Sequence, residues 1–342
     1  MSHPVLLAVD GNSLVHRSYH AQARSEQPSW AVRGLLTQLV AAVERVRPVA
    51  VVVGFDDATR SLRRERWPQY KAHRGEKLES LVDQLAEAVQ AVRDLGVAVV
   101  VPDGLEADDV LASCAAFAPR HGARTVVVTS DRDAFALIGE HTHVLRIING
   151  GVDASPTMTP ERLVLLLGVR PDQYRDFAAL RGDASDNLPG VRGIGARTAA
   201  RLLEVFGTAR AAFDDIEAVR AALGAGVARR LSADGAREAW ELNCQVMAMH
   251  DDVDLGLRLD AGCGVLPFEP AAVERVFRSL NLTWTAATAA RVLADVETPA
   301  QPRAVHAETM LDQRSAGRWR TGSRRLPRLR PTAPAAEQLS LF

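Results

Sequence analysis

The stretch Thr125-Val-Val-Val-Thr129-Ser130-Asp131-Arg132-Asp133 decides the fold. A β-branched run of this length, closed by Ser and Asp, reads as a short buried strand with acids at its carboxyl end. The same form recurs upstream. Val5-Leu-Leu-Ala-Val9 ends in Asp10, Val49-Ala-Val-Val-Val53 leads to Asp56, and Val97-Ala-Val-Val-Val101 leads to Glu106, Asp108 and Asp109. A fifth run is Val144-Leu-Arg-Ile-Ile148. Helical patterns lie between them at 32–47, 78–95, 107–117 and 133–138. Strands alternating with helices predict an α/β fold with a parallel sheet covered on both faces.

Sites in such sheets form beyond the carboxyl ends of the strands. Seven carboxylates are therefore expected on one edge. A single Asp after a strand is commonly a turn former or helix cap. Seven together would repel and raise one another's pKa values, and a divalent cation is the usual remedy. Oxygen donors without His or Cys favour Mg²⁺ or Mn²⁺ over zinc. Two ions about 4 Å apart suit in-line displacement at phosphorus. The residues alone thus point to metal-dependent phosphoryl chemistry.

From residue 159 to 294 the chain reads as helical, a second region. Its opening part holds Asp183 and Asp186 in Gly182-Asp-Ala-Ser-Asp-Asn-Leu-Pro-Gly190, followed by Gly190-Val191-Arg-Gly193-Ile194-Gly195-Ala-Arg-Thr198. Close glycines let backbone amides approach a phosphate, and the following helix start favours an anion. On a helical module this suggests a sequence-independent grip on a nucleic-acid backbone. No strand precedes the glycines, so a dinucleotide site of the Rossmann type is not expected.

The net charge of −1 over 342 residues argues against a nucleic-acid binder only until it is divided. Residues 313–342 hold seven arginines and one acid, Glu337, a net of +6, which leaves −7 for residues 1–312. The tail is rich in Arg and Pro and lacks apolar periodicity, so disorder is expected there. Lys71 and Lys77 are the only lysines. Three scattered cysteines give no disulfide framework. With no signal-peptide pattern and no apolar run near the ~18 residues of a spanning helix, a secreted or membrane protein is excluded. A cytoplasmic, monomeric protein is expected.

Six motifs, in order, resemble the bacterial 5′ nuclease family, which includes the 5′-to-3′ exonuclease domain of DNA polymerase I and the flap endonucleases. They are Val9-Asp10-Gly11 with Arg17; Phe55-Asp56; Tyr70-Lys71-Ala-His-Arg74; Glu106-Ala-Asp108-Asp109; Thr129-Ser-Asp131-Arg-Asp133; and Gly182-Asp-Ala-Ser-Asp186-Asn-Leu-Pro-Gly-Val191 with Gly193-Ile-Gly195. The resemblance covers residues 4–293. It implies a PIN-like domain with a helical arch over 1–158, and a helix–hairpin–helix-type DNA-binding region over 159–296. By position, Asp10, Asp56, Glu106, Asp108, Asp109, Asp131, Asp133, Asp183 and Asp186 would hold two Mg²⁺ or Mn²⁺ ions. Arg17 and Lys71 would neutralise charge at the scissile phosphate. Arg63 and Arg74 would contact phosphates. Gly190, Val191, Gly193, Ile194, Gly195 and Thr198 would hold the duplex, with a K⁺ ion at that turn.

Three features depart from the family pattern and bear on substrate preference. Leu62-Arg-Arg-Glu65 stands where relatives have Phe-Arg-His-Glu, Arg132 replaces a common lysine, and the stretch from Ala21 to Arg33 is short. The expected activity is hydrolysis near 5′ ends of DNA, at flaps and nicks, with RNA primers as a further substrate, in a stand-alone nuclease. The alternatives are a non-catalytic binder of branched DNA and a PIN-like ribonuclease.

The chain closes on Gln338-Leu339-Ser340-Leu341-Phe342. This is similar to the bacterial sliding-clamp-binding motif, in which a Leu-Phe pair fills an apolar pocket and Gln fixes the register. Residues 297–337 would be its linker. The sliding clamp of the replicase and DNA with 5′ ends are the expected partners.

Overall fold

The computed structural model describes residues 3–21 and 28–296. The Arg-rich tail and the closing Gln338–Phe342 motif lie outside the described residues.

Six strands form one sheet: β1 (Val5–Asp10), β2 (Ala50–Gly54), β3 (Ala98–Val100), β4 (Arg124–Thr129), β5 (Thr142–Arg146) and β6 (Thr157–Met158). Their order is β3-β2-β1-β4-β5-β6. The first five run parallel and β6 closes one edge antiparallel. The sheet thus reverses direction at β1, with β2 on one side and β4 on the other. That reversal opens a crevice at the carboxyl ends of β1 and β4.

Alternate residues of each strand feed two separate cores. Leu6, Ala8, Val52, Val127 and Val144 face one. Leu7, Val9, Val53, Val128 and Leu145 face the other. The second core is covered by α1 (Gly11–Ala21), α2 (Trp30–Val46) and α4 (Glu79–Asp94). The short α3 (Leu62–Arg66) and the turn after it occupy the expected arch segment. The first core is covered by α5 (Ala107–Arg120) and by much of the later helical region. After α6 (Gly151–Ala154) and α7 (Pro160–Leu167), α8 (Tyr174–Arg181) brings Tyr174 and Phe177 into that core.

A two-residue hairpin, β7 (Gly182–Asp183) with β8 (Leu188–Pro189), leads to α9 (Ala196–Phe206). Its crossing demands glycine twice. A Cβ on Gly182 would lie 2.2 Å from the Gly190 nitrogen, and one on Gly190 would lie 2.3 Å from the Arg181 carbonyl. Helices α10 to α13 follow (Ala209–Asp214, Ile216–Leu223, Ala225–Leu231 and Ala236–Val246).

The stretch read as helical from 159 to 294 differs in two ways. Residues 249–269 contain no helix. The last pair, α14 (Pro270–Ser279) and α15 (Thr283–Ala294), returns to the opposite face of the sheet. There Phe268, Val273, Phe277 and Leu293 join the α2 core, and Arg33 donates to the Leu280 carbonyl at 2.8 Å. Helical periodicity reports that a face is apolar, not which layer it will join. Among the described residues no helix is long and apolar enough to cross a membrane.

Candidate metal and phosphate site

Asp10 ends β1, at the centre of the crevice, and is 4% exposed. Its carboxylate accepts from the Ser13 amide at 2.8 Å and the Thr129 hydroxyl at 2.7 Å. The first turn of α1 and the end of β4 therefore aim it. Burial, together with Asp56 and Asp131, pushes it from 3.8 up to about 7 against those two bonds.

Asp56 lies two residues beyond β2 and is held from both sides. The Asn12 amide donates to it at 2.6 Å and the Ala107 amide at 2.9 Å. The Asn12 carbonyl accepts from the Asp56 amide at 3.1 Å, which fixes the Asn12 side chain. Burial, then Glu106, raises its pKa.

Helix α5 starts inside the site. Glu106 is its N-cap and Asp109 completes a capping box. Glu106 accepts from the Tyr70 hydroxyl at 3.0 Å and the Lys71 ammonium at 3.2 Å. Asp108 accepts no hydrogen bond among the described residues. Burial, then Asp131 and Asp10, holds it well above the ordinary carboxylate value.

The loop after β4 supplies two more acids. Asp131 is exposed and accepts from the Asp133 amide at 3.0 Å. The Asp133 carboxylate accepts nothing among the described residues. Burial, then Asp131, Asp183 and Asp186, raises it to about 8. Asp183 and Asp186 arrive on the β7–β8 hairpin. Asp183 accepts from the Ser185 amide and hydroxyl at 2.7 and 2.6 Å. Asp186 accepts from Arg74 at 2.6 Å and lies 4.0 Å from the Lys71 ammonium. Burial raises it despite both cations.

Eight acids from five segments thus surround one crevice, and the electrostatic coupling among them is mutual. No three His, Cys, Asp or Glu side chains among the described residues already close on one chelating point. The donor chemistry nonetheless fits hard divalent ions. The donors are all oxygen, Asp108 and Asp133 have no hydrogen-bond donor among the described residues, and burial and repulsion disfavour the ionised forms that a cation would stabilise.

Asp109 departs from its expected role. It is fully buried, and both of its oxygens bond Arg63 at 2.7 Å. The Glu106 and His250 amides donate to it as well, at 3.0 and 2.8 Å. Arg63 in turn donates to the Val246 and Ala248 carbonyls. Burial works against the charge on Asp109, but Arg63 outweighs it and leaves the pKa below the ordinary value. The pair is a fastener between α3, α5 and the end of α13. Asp109 has no oxygen left for a metal, and Arg63, at 7% exposure, is withdrawn from DNA.

Lys71 sits at a left-handed position with φ 55° in the turn after α3. Its amide donates to the Asp186 carbonyl, which ties this turn to the β7–β8 hairpin. Arg17, on α1, donates to Asn149 at 2.9 Å and forms no ion pair among the described residues.

In the glycine-rich turn, Val191 and Ile194 are buried, so their side chains anchor it and its backbone faces outward. Gly195 caps α9 with no side-chain hydrogen bond. The helix therefore presents unbonded amides beside exposed Gly193 and Arg197 and partly exposed Thr198. Asn12, Thr129 and Tyr70 are site residues that the sequence reading assigned no role.

Two family models match the chain. One is described as the 5′-3′ exonuclease N-terminal resolvase-like domain, over residues 5–165, and the other as the 5′-3′ exonuclease C-terminal SAM fold, over residues 169–270. DNA polymerase I of Mycobacterium tuberculosis (strain ATCC 25618 / H37Rv) is 37% identical over 227 residues, 65% of this chain and 25% of that protein. The thermostable DNA polymerase I of Thermus aquaticus is 37% identical over 242 residues, 69% of this chain and 28% of that protein. The chain thus corresponds to little more than a quarter of these relatives. Among solved structures, T5 5′-exonuclease with bound zinc aligns at TM-score 0.58 and 19% identity, covering 82% of this chain and 99% of that one. The catalytic core of Rad2 with DNA substrate aligns at TM-score 0.55 and 14% identity, covering 86% and 92%.

Proposed function

The chain belongs to the 5′-3′ exonuclease family, and we propose on that basis that it hydrolyses phosphodiester bonds near 5′ ends of DNA, at flaps and nicks, and removes RNA primers. The observation that carries this reading is the convergence of buried, mutually repelling carboxylates between Lys71 and Arg17. A binder of DNA gains nothing from concentrating acids against phosphates.

Asp10, Asp56, Glu106, Asp108, Asp131, Asp133, Asp183 and Asp186 are the residues that would hold two Mg²⁺ or Mn²⁺ ions. When bound, such ions supply Lewis-acid polarisation of phosphoryl oxygens. The chain's own groups do the rest. Thr129, Ser13 and Asn12 fix the directions of Asp10 and Asp56 before substrate arrives. Lys71, shared between Glu106 and Asp186, sits where its ammonium can turn to a phosphate oxygen. Arg17 approaches from α1 with donors to spare. The exposed turn at Gly190, Gly193 and Gly195 holds duplex phosphates through backbone amides, with Thr198 beside them, and takes a K⁺ ion. The closing residues Gln338–Phe342 bind the sliding clamp in the cytoplasm and so concentrate the monomeric enzyme at its substrate.

The test is hydrolysis of 5′-labelled flap DNA in Mg²⁺ and in EDTA. Cleavage by Asp131→Ala at the wild-type rate would refute the site. Deleting Gln338–Phe342 should abolish clamp binding, read by surface plasmon resonance, and leave cleavage of naked flaps unchanged.

A further inference from the structure

Arg146 ends β5, paired in register with Thr129, whose hydroxyl holds Asp10. Its Nε is buried without a hydrogen-bond partner. No hydrogen bond or ion pair reaches any part of its guanidinium among the described residues. Arg132, three residues beyond Thr129 in the loop after β4, has no side-chain hydrogen bond or ion pair among the described residues either and repels Arg146. Arg17 reaches the same corner from α1 through Asn149, three residues beyond Arg146. Tyr174, beneath the Asp131–Asp133 loop, also buries an unpartnered hydroxyl. Asp131 attracts Arg146, while Arg132 and Arg17 repel it. Burial and those two neighbours push Arg146 below the ordinary arginine value.

Buried donors are normally satisfied, and the Arg146 Nε is not, while the two guanidiniums beside it have no ion-pair partner among the described residues. A group that pairs with several forked donors at once is a tetrahedral phosphate. We propose that Arg146 and Arg132, together with Arg17, form a phosphate subsite on the β4–β5 flank of the carboxylates. It holds a substrate phosphate next to the one being cleaved. That phosphate is either an internal phosphodiester or the terminal 5′-phosphomonoester of a nicked strand. The inference rests on the proposed nuclease activity and adds a substrate contact to it.

The experiment compares wild type, Arg146→Gln and Arg146→Lys. Binding of flap DNA is measured by anisotropy in EDTA across a KCl series, and KM and kcat in Mg²⁺ on flaps and on nicked duplexes ending in 5′-phosphate or 5′-hydroxyl. Arg146→Gln should raise KM about 10- to 150-fold, as loss of a charged hydrogen bond predicts. It should also flatten the salt dependence by about one phosphate contact. Arg146→Lys should restore part of the salt dependence, with an unchanged Tm in both variants. A loss confined to 5′-phosphate ends assigns the terminal group, and an equal loss on both ends assigns the internal one. Unchanged salt dependence and unchanged KM on every substrate would overturn the subsite. Wild-type protein that cleaves none of the substrates would instead overturn the nuclease reading, since the EDTA binding arm needs no turnover.

Discussion

Lys71, Arg74 and Arg63 stand on the α3 side of the crevice, each already bonded to an acid. Arg17, Arg132 and Arg146 stand on the β4–β5 side, and none has an ion-pair partner among the described residues. The first bank is assembled by its own carboxylates. Its cost in desolvation is met within the protein, and its shape is set before substrate binds. The second bank stores unmet hydrogen-bonding capacity, which an incoming anion can satisfy. One bank defines the site's geometry and the other its appetite for phosphate.

The comparison breaks most completely if the acids between the banks are removed. Asp108→Ala should lower flap cleavage by about 10³-fold or more, measured in single-turnover assays. Next comes the fastener of the paired bank. Arg63→Ala leaves Asp109 charged and buried, so a loss of about 3–5 kcal/mol is expected in denaturant unfolding. Arg63→Met with Asp109→Leu should recover much of it, which Arg63 acting on DNA would not explain. Lys71→Ala should then reduce kcat by about 10²-fold with little change in KM, the reverse of the split expected at Arg146.

The smallest effect is on pH. Burial and repulsion raise Asp10 to about 7 and Asp133 to about 8. The folded state therefore binds more protons than the unfolded chain between about pH 4 and 8. The stability these protonated groups contribute is present at low pH and lost as pH rises through their folded values. In EDTA, Tm should fall across that window, and saturating Mg²⁺ should lessen the fall. A Tm in EDTA that stayed flat or rose from pH 5 to 8 would remove the picture of mutually repelling acids.

Much of the fold was legible because parallel strands are β-branched and buried on both faces. The runs at 5–9, 49–53 and 125–129 fall within or at the edges of β1, β2 and β4. The run at 144–148 lies two residues late, since β5 starts at Thr142, whose polar side chains hide the strand's beginning. The antiparallel β6 has two residues and so no period to read. The segment 133–138 reads as helix but forms a short 3₁₀ turn, which Asp131 starts by accepting the Asp133 amide.

The candidate acids were legible as a class, because strand-end acids share a topological address. Individual roles were not. Asp108 and Asp109 are adjacent in sequence, yet one faces the crevice unbonded and the other is consumed by Arg63, 46 residues away. Only the packed structure separates them. Arg146 is hidden in a strand pattern, where an arginine reads as an ordinary outward-facing residue.

The anchoring of α5 carries a consequence for how the protein is made. Asp109 is 141 residues ahead of His250, whose amide it accepts, and Arg63 awaits the carbonyls of Val246 and Ala248. At about 5–20 residues per second, a ribosome needs on the order of ten seconds to deliver that segment. Until it emerges, the helix that carries Glu106 and Asp108 lacks its clasp. The emerging chain thus has an interval in which its acids exist but their arrangement does not, and translation itself times the completion of the site.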